Sequence, residues 1–142
     1  MVQVLDYQAT EPLSMFNPAK GFIIPQAPFR VILASIRLNI PANASRNNKV
    51  ELVSTVGVEG ITNISQVVFR IFRNGREIFN TQTGVESAGS EINYNFTFQA
   101  IDFNVNAGAN FYQLTVENIT PNTQANVVGP ISFSGLAIKN TK

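Results

Sequence analysis

FRIFRNGREIF, residues 69–79, sets Asn-Gly between two mirrored runs of apolar and charged residues. Both central residues of a two-residue hairpin turn take positive φ, which Asn tolerates and Gly allows freely, so the stretch reads as two antiparallel strands joined at Asn74-Gly75. The turn predicts a register in which Arg73 faces Arg76, Phe72 faces Glu77, Ile71 faces Ile78 and Arg70 faces Phe79. One face then carries Val67, Phe69, Ile71 and Ile78, and the other Val68, Phe72 and Phe79, with Arg70 and Glu77 as diagonal neighbours within reach of each other. A strand pair at the surface of a monomer normally shows one polar face. This pair is apolar on both, and the question is what covers the second.

Working outward from the hairpin, strand patterns recur at short intervals with turn-rich gaps between them. Upstream, Phe29 to Ile40 alternates, with Ile32, Ala34, Ile36, Leu38 and Ile40 on one side, and Lys49 to Val58 gathers Val50, Leu52, Val56 and Val58. PANASRNN between them, residues 41–48, is a loop by composition. Downstream, Ile92 to Asp102 sets Ile92, Tyr94, Phe96, Phe98 and Ala100 against Asn93, Asn95, Thr97 and Gln99. Phe111 to Asn118 and Val127 to Ile138 follow, and a short strand is expected around Gly21 to Ile24. No segment holds a helical period. The pattern predicts an all-β, antiparallel, jelly-roll-like β-sandwich of about eight strands spanning residues 29–142.

Residues 1–28 differ. Pro12, Pro18, Pro25 and Pro28 interrupt them, and proline removes a ladder donor and fixes φ, so the sequence predicts an extended, broken arm rather than a regular strand. The arm nevertheless carries Val2, Val4, Leu5, Tyr7, Leu13, Met15, Phe16, Phe22, Ile23 and Ile24. Disordered tails are poor in such residues, so the arm is expected to dock, either along an edge of its own domain or into a neighbouring copy by β-augmentation. Val2, Val4, Leu5, Tyr7 and Phe16 from the arm, with Phe72 and Phe79 from the hairpin, are the candidate subunit-interface residues.

Composition narrows the chemistry. In 142 residues there is no Cys and no His, the formal net charge is +1, and 13% of residues are charged. Disulfides, thiolate metal sites, a cysteine nucleophile and a histidine base are thereby excluded. So weak a charge gives no reason to expect nucleic acid or an anionic membrane as partner. No apolar run approaches the roughly 18 residues of a membrane span, and MVQVLDYQATEP lacks the basic start and apolar core of a signal peptide. The carboxylates are scattered, none nominates a catalytic pair, and no enzyme activity or cofactor is expected. Glu86 and Glu91 are read as solvated loop charges rather than a calcium site. Sequons at Asn43, Asn63, Asn95 and Asn118 follow from abundant Asn and Thr.

NIPANASRNNKVELVSTVGVEG, FRIFRNGREIFNTQTG, FTFQAIDFNV, YQLTVENIT and VVGPISFSGLAI together resemble the small exosporium proteins of spore-forming bacilli, of the exosporium protein C kind, over residues 29–138. They also resemble the jelly-roll subunits of endospore appendages. The resemblance implies a structural protein of the spore surface, made without a signal peptide and released when the mother cell lyses. Its partners would be further copies of itself, in a fibre or layer, and other spore-surface proteins such as an anchor or a collagen-like tip protein. Disulfide-linked appendage subunits carry an N-terminal cysteine connector. This chain has none, so any fibre would be noncovalent. Competing expectations are a closed trimeric tumour-necrosis-factor-like module, a carbohydrate-binding sandwich and a viral jelly-roll structural protein.

Overall fold

The computed structural model describes residues 1–140. Nine strands follow one another: β1 (Val2–Leu13), β2 (Phe22–Ile23), β3 (Val31–Ile40), β4 (Lys49–Thr62), β5 (Ser65–Arg73), β6 (Arg76–Val85), β7 (Asn93–Phe103), β8 (Gly108–Asn118) and β9 (Gln124–Asn140). They form two antiparallel sheets. In the first the order is β1-β9-β4-β7, with β2 also on β9; in the second it is β3-β8-β5-β6. Apart from the β5–β6 hairpin, each long strand crosses to the opposite sheet before the next begins. This interleaving is that of a jelly roll. Among the described residues no helix is long and apolar enough to cross a membrane.

The alternation read in the sequence defines the core. Ile36, Leu38, Val50, Leu52, Val56, Phe69, Ile71, Tyr112, Leu114, Val116 and Phe133 are buried between the sheets. Because successive strand residues point to opposite faces, Glu51, Val53 and Thr55 fall on the outside of the first sheet while Val50, Leu52 and Ser54 fall inside.

The hairpin forms at Asn74-Gly75, with φ of 52° and 84°, but its register departs from the simple expectation. Arg73 faces Arg76 and Phe72 faces Glu77, after which a bulge at Ile78 pairs Ile71 with Phe79 and Arg70 with Asn80. The extra residue turns Phe79 inward. Phe72 and Phe79 therefore lie on opposite faces of the second sheet, not together. Phe72, on the outer face, is covered by the guanidinium of Arg30, whose Cζ stands 4.6 Å from the ring centre. Phe79 stacks on Phe98 of the opposite sheet at 5.8 Å. The second face of the hairpin is thus closed by the chain's own Arg30 and by the bulge.

The N-terminal residues correct a second expectation. In place of a broken arm, β1 pairs along β9 of its own chain from Val2↔Asn140 to Leu13↔Ile131. Its irregularities fall between Val4 and Asp6 and between Thr10 and Leu13. Pro12 lies within the second, and an edge strand has no need of a donor on its outer side.

Candidate assembly interface

A strand that ends a sheet leaves a row of backbone N–H and C=O groups without sheet partners. Here each sheet ends twice, and the four edges gather on two flanks of the sandwich.

On one flank, β1 and β3 come together. The Asp6 carboxylate accepts the backbone N–H of Asn39 at 2.8 Å, because the bulge after Val4 turns Asp6 toward the second sheet. Beside this stitch runs a polar groove of about 440 Å³, lined among others by Gln8, Thr10, Ser35 and Arg37.

On the other flank, β6 and β7 do not join. Along the opening the inward residues of β7 include Tyr94, Phe96 and Phe98, all half-buried, and those of β6 include Phe79, Thr81 and Thr83. Phe69 from the middle of β5 forms the floor, 5.1 Å from Phe98 and 5.9 Å from Phe96 between ring centres. Tyr94 stacks on Phe96 at 5.7 Å. The two short threonines leave a slot of about 330 Å³ between the sheets. Phe69, Phe96 and Phe98 line the slot together with Thr81, Gln82, Thr83, Asn95 and Thr97, and a part-aromatic slot between two strand edges is a geometry that can accept another strand.

Strand direction relates the flanks. All neighbours in both four-strand paths are antiparallel. With an even number of strands, the first and last of each path run in opposite directions. A second copy translated along the sheets would bring its β1 beside β7, and its β3 beside β6, both antiparallel.

The outer face of the first sheet carries a separate apolar area. The registers align Val4, Ile138, Lys49 and Phe103 in one row and Tyr7, Leu136, Glu51 and Ile101 in the next. Val4, Tyr7, Val53, Ile101 and Phe103 are exposed there.

The residues marked from sequence are thus dispersed. Val2, Val4 and Tyr7 lie exposed on the outward side of β1, and Phe16 is exposed just beyond it. Leu5, at the bulge, packs against the core. Phe79 packs against the core and stacks on Phe98, and Phe72 is buried under Arg30 on the other face. Tyr94, Phe96 and Phe98 were legible as an inward row but not as a mouth, because openness depends on which strands end the sheets.

On the outer face of the second sheet Arg70, Glu77 and Glu117 form one network. Arg70 Nε donates to Glu117 at 2.7 Å and Nη1 to Glu77 at 3.0 Å. The Glu117 hydrogen bond raises the Arg70 guanidinium above its ordinary value, and the amide of Asn80, together with Arg70, holds the Glu77 carboxyl below the usual carboxylate range. Among the described residues, no three His, Cys, Asp or Glu side chains gather as a metal site would require.

No protein-family model matches the chain, and no curated protein matches it. Among solved structures, infectious bursal disease virus, Gx strain, is similar at a TM-score of 0.54 and 8% identity, with 96% of this chain and 38% of that one covered. The Gt strain of the same virus is similar at 0.54 and 7%, with the same coverage. Dimeric latent PorU from Porphyromonas gingivalis is similar at 0.51 and 12%, over 94% of this chain and 13% of that one. The chain thus spans 38% of the length of the viral chains. At such identities the likeness is one of fold.

Proposed function

We propose that this chain is a non-enzymatic structural subunit that self-assembles, through its N-terminal strand, into a fibre or layer on the spore surface. The observation that carries the reading is the pairing of the two flanks: edge strands of opposite direction in both sheets, stitched at one point by Asp6 and Asn39 on one side and parted by a slot floored by Phe69 on the other. Copies adding by translation would continue both sheets at once. Such a contact uses different patches on the two partners, so it propagates unless rotation closes a ring.

In this reading β1 is the donor strand. Seated on its own β9, it offers its outer edge to β7 of the next copy, with Val2, Val4 and Tyr7 extending the outer face across the joint. With no cysteine in these 142 residues, the contact described here holds copies together without disulfides. The spore-surface location, in exosporium or endospore appendage, rests on the phrases resembling small exosporium proteins. So do the further partners, an anchor or a collagen-like tip protein.

Negative-stain electron microscopy of the purified full-length chain tests the assembly. Long uniform fibres or sheets are expected, and Thr83→Lys, which sets an inward charge at the β6 edge, should leave folded monomers. Monomers or discrete threefold particles from the unaltered chain would overturn the reading. So would fibres of Thr83→Lys indistinguishable from it.

A further inference from the structure

Asn-Gly is the dipeptide in which side-chain cyclisation meets least hindrance, and Asn74-Gly75 is the single occurrence in the chain. In that reaction the Gly75 nitrogen attacks Cγ of Asn74, the Cγ–Nδ2 bond breaks, and ammonia leaves with the proton given up by Gly75. Water then opens the cyclic imide to aspartate or isoaspartate. Asn74 is exposed, so water has access to it.

The side chain, however, is held at both ends. Its Oδ1 accepts the Phe111 N–H at 2.8 Å and its Nδ2 donates to Asn110 Oδ1 at 3.1 Å. The backbone N–H of Asn74 donates to the Phe111 carbonyl at 2.8 Å. Asn110 is itself fixed: it is 3% exposed, and its Nδ2 donates to the carbonyls of Asn106 and Gly108 at 3.0 and 3.1 Å. For Cγ to reach the Gly75 nitrogen, the Asn74 amide must leave both partners.

We propose that Asn74 is a latent deamidation site held shut by Asn110 and the start of β8. The chemistry is intrinsic to the dipeptide, and the clamp sets its rate. Two neutral hydrogen bonds, lost together before attack, predict a slowing of about tenfold or more relative to the unfolded chain.

The full-length chain is incubated in mildly alkaline buffer, native or unfolded in urea, and modification at Asn74 is followed by peptide-mapping mass spectrometry. The expected result is at least tenfold slower conversion in the native protein, with Asn110→Ala recovering several-fold of the lost rate while its circular dichroism stays unchanged. If that variant does not fold, Asn110→Ser takes its place, since it keeps a polar side chain at the buried position while removing the amide that holds Asn74. Native protein converting as fast as the unfolded chain would overturn the proposal, as would a folded variant no faster than the unaltered chain.

Discussion

Nη1 of Arg73, at the end of β5, donates to both carboxylate oxygens of Asp102 on β7, at 2.5 Å each. The pair joins the two sheets, and the Tyr112 hydroxyl on β8 donates to the same carboxylate at 2.8 Å. Asp102 occupies an inward position of β7, in line with Phe96, Phe98 and Ala100. A carboxylate there is tolerated because it is neutralised and hydrogen-bonded.

Removing one partner leaves the other desolvated and alone. Arg73→Ala is expected to cost about 2–4 kcal/mol in urea unfolding, since breaking a buried pair is strongly destabilising. The loss should persist at high salt, because the side chains are 24% and 9% exposed and little screened. Glu77→Ala, which removes the more open half of the Arg70 network, should cost about 1 kcal/mol or less and should shrink with salt. Equal costs for the two variants would show that the Arg73–Asp102 clamp is not a buried one.

Tyr112 gives the protein a weakness in alkali. Burial, with the Asp102 charge beside it, pushes the phenol well above its ordinary value. In the unfolded chain the hydroxyl ionises near about pH 10. A folded-state value raised above the unfolded one gives stability that is fully present below the unfolded value and is lost as pH rises past it. Each pH unit above about 10 therefore removes up to about 1.4 kcal/mol through this group. Tyr112→Phe should be less stable at neutral pH, where the Asp102 bond is lost, and should show a shallower decline between about pH 10 and 12. Parallel curves for the two proteins would refute the assignment.

Period-two alternation placed the strands, because each inward row, such as Tyr94, Phe96 and Phe98, must face a core. The turn at Asn74-Gly75 was legible because positive φ selects those residues. The bulge at Ile78 was not: it inserts one residue without Gly or Pro to mark it, and it moved Phe79 to the other face. Pro12 misled for a related reason, since a proline penalises a paired strand but is indifferent on a free edge. The Arg73–Asp102 pair was not legible, because its partners lie far apart in sequence and on different sheets. The slot itself follows from strand order, which adjacency in sequence does not reveal.

The corrected register has an energetic consequence. Phe72 packs under Arg30 on the outer face, and Phe79 stacks on Phe98 inside. Phe72→Ala and Phe79→Ala, each costing about 1–3 kcal/mol, should therefore be additive to within about 0.5 kcal/mol in the double variant. A coupling above about 1 kcal/mol would place the two rings in one cluster and restore the simple hairpin register.

Gly57 tests the packing of the longest strand against the middle of β4. The β4–β9 register shifts between Val56 and Val58, and Gly57 lies at that shift. A Cβ built on Gly57 would meet the carbonyl oxygen of Gly129 at 1.9 Å and the nitrogen of Pro130 at 3.0 Å. All of these are backbone atoms, so no side chain can rotate away and relief requires β9 to move off β4. Gly60 meets the same situation against the carbonyl oxygen of Glu86, at 2.0 Å. At Gly75, by contrast, nothing lies within 4 Å and φ is +84°, so alanine there carries conformational strain without a clash. Gly57→Ala is thus expected to destabilise by about 3 kcal/mol or more, at or beyond the upper range of overpacking, and Gly75→Ala by about 1–2 kcal/mol, the cost of a left-handed residue. Equilibrium unfolding of the two variants under one condition decides it. If Gly57→Ala proves the milder, β9 does not approach β4 as closely as the sandwich requires.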